Sequence, residues 1–375
     1  MLGKKIIILG TAHPFRGGLA AYNERLAAEF IAEGEEVELV TFTMQYPPFL
    51  FPGTSQYSDQ AAPIGLKIRE LVNSINPFNW WRVGRMIKQE APDILIIKFW
   101  LPFMAPCFGT IARIVKRNKK TRVVSILDNV IPHEKRIGDM QLIRYFVRSV
   151  DAFIAMSDSV MADLKKFDNQ KPCILKPHPI YDNFGPAVNK ESAIQQLGLA
   201  QGERYLLFFG FIRDYKGLDI LIEAMADARI KALGIKAIIA GEFYTQAQPY
   251  LDLIKKCAVE NSIILRTDFI PDDMVKYYFC ASDIIVQPYK HATQSGVTQI
   301  GYHFEKPMIV TNVGGLAEII PHGKAGYVVE VNAKSIADAL VDFYANQRER
   351  EMIEFVVQEK KKYAWGEMTK TIKSI

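Results

Sequence analysis

In "FFGFIRDYKGLDILIEAM" two cations, Arg213 and Lys216, stand between an apolar run that ends in Gly210 and a helical pattern that starts near Leu218. A guanidinium offers a fork of directed donors, and an ammonium is a mobile point charge. Held together at the N-terminal end of a helix, where unpaired N–H groups also point outward, they form a clamp for an anion such as a diphosphate. The same pair on a solvated loop would clamp nothing, so the weight comes from the position at a strand end.

Two further turns have the same form. In "GTAHPFRGGLAAYNERL" Gly17 and Gly18 let backbone approach a ligand closely as the first helix begins. The spacing is not GxGxxG, which excludes a dinucleotide fingerprint, and plain strand-to-helix turns look similar. In "QPYKHATQSGVTQIGYHFEKPMIVTNVGGLAEII" an apolar run stops at a proline and a polar loop follows. Thr293 or Ser295 is expected to cap the next helix, leaving the N–H groups of Gly296 and Val297 aimed at a ligand. Glu318, after Gly314-Gly315, suits a ribose hydroxyl and suits a helix N-terminus equally well.

The elements that must hold these turns are legible as a rhythm. "KIIILG", "EVELVTF", "DILIIKF", "RVVSIL" and "AFIAMS" read as buried strands separated by amphipathic helices. The rhythm restarts after a Pro- and Gly-rich stretch, with "RYLLFFG", "IKAIIAG", "SIILRT", "DIIVQPY", "PMIVTNV" and "GYVVE". This predicts an α/β protein of two doubly wound parallel-sheet domains, 1–185 and 186–354, with a cleft between them. A C-terminal helix over about 355–375 is expected to pack back on the first domain. In such sheets ligands bind beyond the carboxyl ends of the strands, which is where all three turns fall.

At 375 residues the chain is long enough for two cores, and its formal charge of +5 suits anionic small molecules or an acidic lipid surface rather than nucleic acid. Cys107, Cys173, Cys257 and Cys280 are scattered without metal spacing, as reduced thiols in a cytoplasmic protein would be. The apolar run in "MLGKKIIILG" is short for a signal peptide, and none reaches the roughly 18 residues of a membrane span.

Together, "FRGGLAAYNERLA", "GFIRDYKGLDILIEAM", "DFIPDDMVKYYFCASDIIVQPY", "KPMIVTNVGGLAEII" and "YAWGEMTKTI" resemble the retaining glycosyltransferases of the GT-B fold, family 4, over nearly the whole chain. The resemblance implies two facing Rossmann-like domains and a nucleotide-diphosphate-sugar donor bound mainly by the second. It implies transfer to an acceptor hydroxyl with retention, without a bound metal or other cofactor, in cell-surface glycan or glycolipid synthesis. Arg213 and Lys216 would hold the diphosphate beside Gly210, Gly17 and Gly18 would approach it, and His133 in "LDNVIPHE" would face the donor. In the family a cation often follows the strand-end glycine directly. Here Phe211 takes that place and Arg213 comes two residues later, on the same side of an extended chain. Two glutamates eight positions apart are also common in the family; Ala292 and Ile300 occupy those places here. Thr293, Gln294, Ser295 and Gln299 are the neutral neighbours left to bind sugar and ribose, with Glu318 as a ribose partner. Lys98, Ser157 and His178 fall at strand ends on the acceptor side.

"MQYPPFLFPG", "INPFNWWRVGRMIK" and "RIVKRNKKTR" mix aromatic and basic residues in the first domain. Trp80, Trp81, Arg82, Arg85 and Lys88 have the composition of a membrane-interface segment and equally that of a packed helix with a basic outer face. On the first reading the acceptor is lipid-linked, or the protein is peripheral on the inner face of the plasma membrane. Two other functions share this outline: a sugar-nucleotide epimerase, and a non-catalytic sugar-binding protein of two lobes.

Overall fold

The computed structural model describes residues 3–47, 56–58, 61–132, 136–292 and 295–375. The chain divides into two compact units, Met1–Pro177 with Trp365–Ile375, and His178–Ala364.

The first unit holds β1 (Lys5–Leu9), β2 (Glu36–Met44), β3 (Ile68–Asn73), β4 (Ile94–Phe99), β5 (Arg122–Leu127), β6 (Ala152–Ala155) and β7 (Cys173–Leu175). They form one parallel sheet in the order β3-β2-β1-β4-β5-β6-β7. β1 and β4 are almost wholly buried, because helices cover both faces of their Ile-rich runs. The edge strands β3 and β7 carry half-exposed polar or short patterns, so no continuous apolar run announces them in the sequence.

The second unit holds β8 (Arg204–Phe209), β9 (Ile235–Ala240), β10 (Ile263–Arg266), β11 (Ile284–Gln287), β12 (Met308–Thr311) and β13 (Gly326–Val329). Their order is β10-β9-β8-β11-β12-β13, again parallel. One apolar cluster lies on each face of this sheet. Strand order reverses between β1 and β4 in one unit and between β8 and β11 in the other. In doubly wound sheets such a reversal is where ligands bind, beyond the strands' carboxyl ends.

The second unit begins at His178, earlier than the 186 expected, because the Ile180 amide donates to the Tyr363 carbonyl (2.9 Å) and ties this segment in. The C-terminal region also departs from a single helix over 355–375. Glu349–Glu359 stays in the second unit, anchored by Met352 and Val356. A short 3₁₀ turn and an extended Ala364 then break the helix. Only Trp365–Ser374 returns to the first unit, where Trp365 packs on Tyr22 (5.1 Å between rings) and Lys373 pairs with Glu33 (2.6 Å).

Candidate functional site

β8 ends at Phe209, and Gly210 follows with φ 92°, a conformation that favours glycine. A Cβ on Gly210 would stand 2.9 Å from Lys216 Nζ and 3.9 Å from the Val297 side chain. Bare backbone is therefore the point at which the basic turn and the helix Gly296–His303 converge, beside the β8/β11 reversal.

Lys216 closes a short 3₁₀ turn, Asp214–Lys216, and Gly217 caps it at φ 68°. A Cβ on Gly217 would lie 2.0 Å from the Pro288 carbonyl oxygen, so the turn is pressed onto the end of β11. Only 8% of Lys216 is exposed, and its ammonium lies 5.6 Å from the centre of the Tyr289 ring. Arg213 is extended and exposed, with its guanidinium 5.2 Å from the Tyr244 ring centre; Phe211 packs on the same ring, tilted, at 4.4 Å. Phe211 and Arg213 thus reach one partner, as the two-residue repeat of extended backbone requires.

Among the described residues neither cation forms an ion pair. Burial, and secondarily the Arg213 charge, push the Lys216 ammonium down to about 8. A desolvated cation beside a second cation is poised for a multiply charged anion. The sign of the pH dependence follows. Below pH 8 Lys216 already carries its charge, and above it a binding anion must recruit a proton. The affinity of a nucleoside diphosphate is therefore expected to fall as pH rises past 8, approaching about tenfold per unit for one linked proton. Titration calorimetry across this range in buffers of differing ionisation enthalpy checks it; a flat affinity contradicts it.

Ser295 occupies the N-cap position of Gly296–His303, but its side chain makes no cap bond. Its hydroxyl lies 3.3 Å from the Tyr289 hydroxyl instead. The expected cap is thus absent at Ser295, which leaves the first-turn donors, Gly296 and Val297 among them, uncapped by that side chain. Gly296 packs against Tyr181, whose ring lies 4.7 Å from that of His178. His178 therefore sits beside this helix start, within the second unit. Gln299 lies one turn on from Gly296 and is 1% exposed. Among the described residues neither its Nε2 nor its Oε1 has a hydrogen-bond partner, whereas the adjacent Thr298 bonds Gln287 at 3.1 Å. A buried amide left in this state costs about 1–3 kcal/mol for each unpaired group. Glu318 is exposed on the short helix Gly315–Ile319 beyond β12, the strand next to β11. Thr293, Gln294 and His133 lie outside the described residues.

In the first unit Gly17 precedes the helix Gly18–Ala32 with φ 103°, and both glycines are exposed. Lys98, at the end of β4, is buried with its ammonium 2.7 Å from Asp128 Oδ1 and 3.4 Å from the Tyr22 ring centre. Ser157 caps Asp158–Lys165 by accepting from the Val160 amide (3.3 Å). Lys98 and Ser157, expected on the acceptor side, are thus engaged within the unit's own framework.

Sequence reasoning did not single out Tyr181, Tyr289 or Gly217. Gly217 carried a readable signal, a glycine between a basic turn and an apolar helix. The tyrosines carried none, since only packing brings them to Gly296, Ser295 and Lys216. Among the described residues no group of three His, Cys, Asp or Glu side chains gathers as a metal site.

Two family models match the chain: one described as Glycosyltransferase Family 4 over residues 16–177, and one described as Glycosyl transferases group 1 over residues 203–346. D-inositol 3-phosphate glycosyltransferase of Corynebacterium urealyticum is 24% identical over 266 residues, 68% of this chain and 62% of that one, so the chain spans less than two thirds of its length. N-acetyl-alpha-D-glucosaminyl L-malate synthase of Bacillus anthracis is 22% identical over 359 residues, 90% of this chain and 87% of that one. Among solved structures, Anabaena HepE in complex with UDP gives a TM-score of 0.72 at 16% identity, covering 99% of this chain and 100% of that one. That likeness shows the fold, two Rossmann-like parallel-sheet units of GT-B type. With the two models matching the two units in order, the chain belongs to the glycosyltransferases of group 1, family 4.

Proposed function

We propose that the protein moves a sugar from a nucleotide-diphosphate sugar to an acceptor hydroxyl with retention at the anomeric carbon. The observation that carries this is the pair Arg213 and Lys216, two cations with no anion among the described residues, at a glycine turn beside the β8/β11 reversal. The bond from the anomeric carbon to the diphosphate oxygen breaks, and the acceptor oxygen bonds to that carbon from the same face. The acceptor proton passes to the departing diphosphate. Charge growing on that group is met by Lys216, Arg213 and the N–H groups of Gly296 and Val297, all in place before reaction. This reading needs no metal.

Gln299 and Ser295 are assigned to sugar and ribose hydroxyls with Thr293 and Gln294, and Glu318 to the ribose. Gly17 and Gly18 are assigned backbone contact with the phosphates, and His133 a place facing the donor. Anabaena HepE, solved with UDP and with UDP-glucose, supports the donor class. Relatives are named for D-inositol 3-phosphate and for L-malate; the acceptor assigned here is a hydroxyl of a glycan or a lipid-linked sugar, used at the cytoplasmic face for cell-surface glycan or glycolipid synthesis.

A thermal-shift screen of nucleotides, free sugars and nucleotide sugars tests the reading, since a ligand selective for the folded state raises the melting temperature. A nucleoside diphosphate is expected to raise it and the free sugar alone to leave it unchanged. NMR of the transfer product should then show the donor's anomeric configuration. Sugar binding indifferent to the nucleotide, or conversion of the donor to an epimer without an acceptor, would refute it.

A further inference from the structure

We infer that the outer face of three neighbouring helices in the first unit docks on an anionic lipid bilayer. This names a partner for the acceptor end of the proposed reaction, and rests on that reading only for why a bilayer is needed. The helices are Pro77–Glu90, Ala105–Lys116 and Asp139–Val147. Each packs on the next through a glycine: Gly84 lies against Ile114, and Gly109 against Tyr145. They therefore form one continuous layer over the sheet.

The outer surface of that layer carries Arg82, Arg85, Arg144 and Arg148 exposed, with Arg113 half-buried between them. Of its two acids, one is ion-paired and the other hydrogen-bonded to backbone. Glu90 takes both terminal nitrogens of Arg69 (2.9 and 3.1 Å), and Asp139 accepts from the Arg136 amide (2.8 Å). Large apolar groups stand among the cations: Phe78 is 86% exposed, Trp81 53% and Met140 40%. Trp80, by contrast, is turned inward, where its Nε1 donates to the Asn73 carbonyl (2.7 Å). The two tryptophans of "WWR" therefore divide, one to the core and one to the surface. The Arg85 guanidinium lies 4.6 Å from the Trp81 ring centre, and that of Arg113 lies 3.7 Å from the Tyr145 ring centre.

A merely solvated basic face has no use for a phenylalanine and a tryptophan held out in water. Cations for phosphate headgroups and aromatic rings for the interfacial zone are the pairing that a peripheral membrane surface needs. Placement agrees. Crossover helices run antiparallel to the parallel strands they connect, so Phe78, Trp81 and Met140, near their helix starts, lie at the carboxyl end of the sheet. That end carries the β1/β4 reversal, so docking there would bring a lipid-borne hydroxyl to the side of the sheet where such folds bind ligands. Among the described residues no helix is long and apolar enough to cross a membrane, so attachment through this face is interfacial.

Flotation of the purified full chain with vesicles tests the inference. At low salt the protein is expected to rise with phosphatidylcholine–phosphatidylglycerol vesicles and to stay behind with phosphatidylcholine alone, and high salt should release it. Phe78→Ser with Trp81→Ser, and separately Arg82→Glu with Arg85→Glu, should each lower partitioning roughly tenfold or more. Both double variants should keep the parent's circular dichroism and its melting shift with nucleotide. The inference fails if the parent never floats with anionic vesicles, if neutral vesicles serve as well, or if both double variants bind as the parent does. It fails too if single-stranded DNA competes away the vesicles, since the face would then be a general polyanion site. None of these outcomes reads sugar transfer, so the docking surface and the transferase reading fall or stand separately.

Discussion

Lys216→Met is expected to lower kcat for sugar transfer by roughly two to three orders of magnitude, the scale of losing one preorganised charge from a reacting site. Methionine keeps the unbranched stem and deletes the ammonium. Lys216 is 8% exposed, without an ion-pair partner among the described residues, and beside Arg213. Its ordinary value of 10.5 falls to about 8 on folding, so its burial opposes folding below pH 8, and that penalty fades as pH rises from 8 towards 10.5. The variant should therefore melt no lower than the parent at pH 7 while losing turnover. Arg213, which is exposed, should matter less when truncated. Steady-state kinetics and melting of the same preparation decide the matter: near-normal turnover removes Lys216 from the reaction, and loss of turnover together with a collapsed melting point makes it structural.

Gln299→Leu should separate stability from donor use in the same way, through hydrogen bonding rather than charge. Leucine approaches glutamine in volume but has neither donor nor acceptor. Both side-chain groups of Gln299 are buried and unpartnered in the described structure, so the variant should gain about 1–3 kcal/mol for each group removed and melt higher without ligand. If sugar or ribose hydroxyls satisfy that amide, KM for the nucleotide sugar should rise about ten- to a hundredfold, because a site built around hydroxyls loses much when a partner is missing. A variant that melts lower and keeps its KM would show that the amide serves the fold.

Much of this molecule is readable from its letters, and for a local reason. β1, β4, β5, β8 and β9 are rich in Ile, Val, Leu and Phe, and such a stretch in a parallel sheet is buried on both faces wherever it sits. The glycine turns at Gly17, Gly210 and Gly296 follow from the strand ends that precede them. Motif order along the chain then suffices for the family, because each motif is a strand–turn–helix unit complete in itself. What stayed hidden depends on partners far away in sequence. β3 and β7 are strands because neighbours pair with them, and their own patterns are half polar.

Lys98 and Lys216 show the division most clearly. Each is a lysine near the carboxyl end of a sheet, and each is buried. Asp128, thirty positions along the chain from Lys98, neutralises the first at 2.7 Å, and among the described residues no carboxylate reaches the second. The same holds for the amides of Gln287 and Gln299, one bonded to Thr298 and the other bare. Residue type and spacing determined where charge and hydrogen-bonding groups would stand. Only tertiary packing decided which of them were already satisfied, because the energy of a buried polar group depends on the atoms around it and those atoms come from elsewhere in the chain.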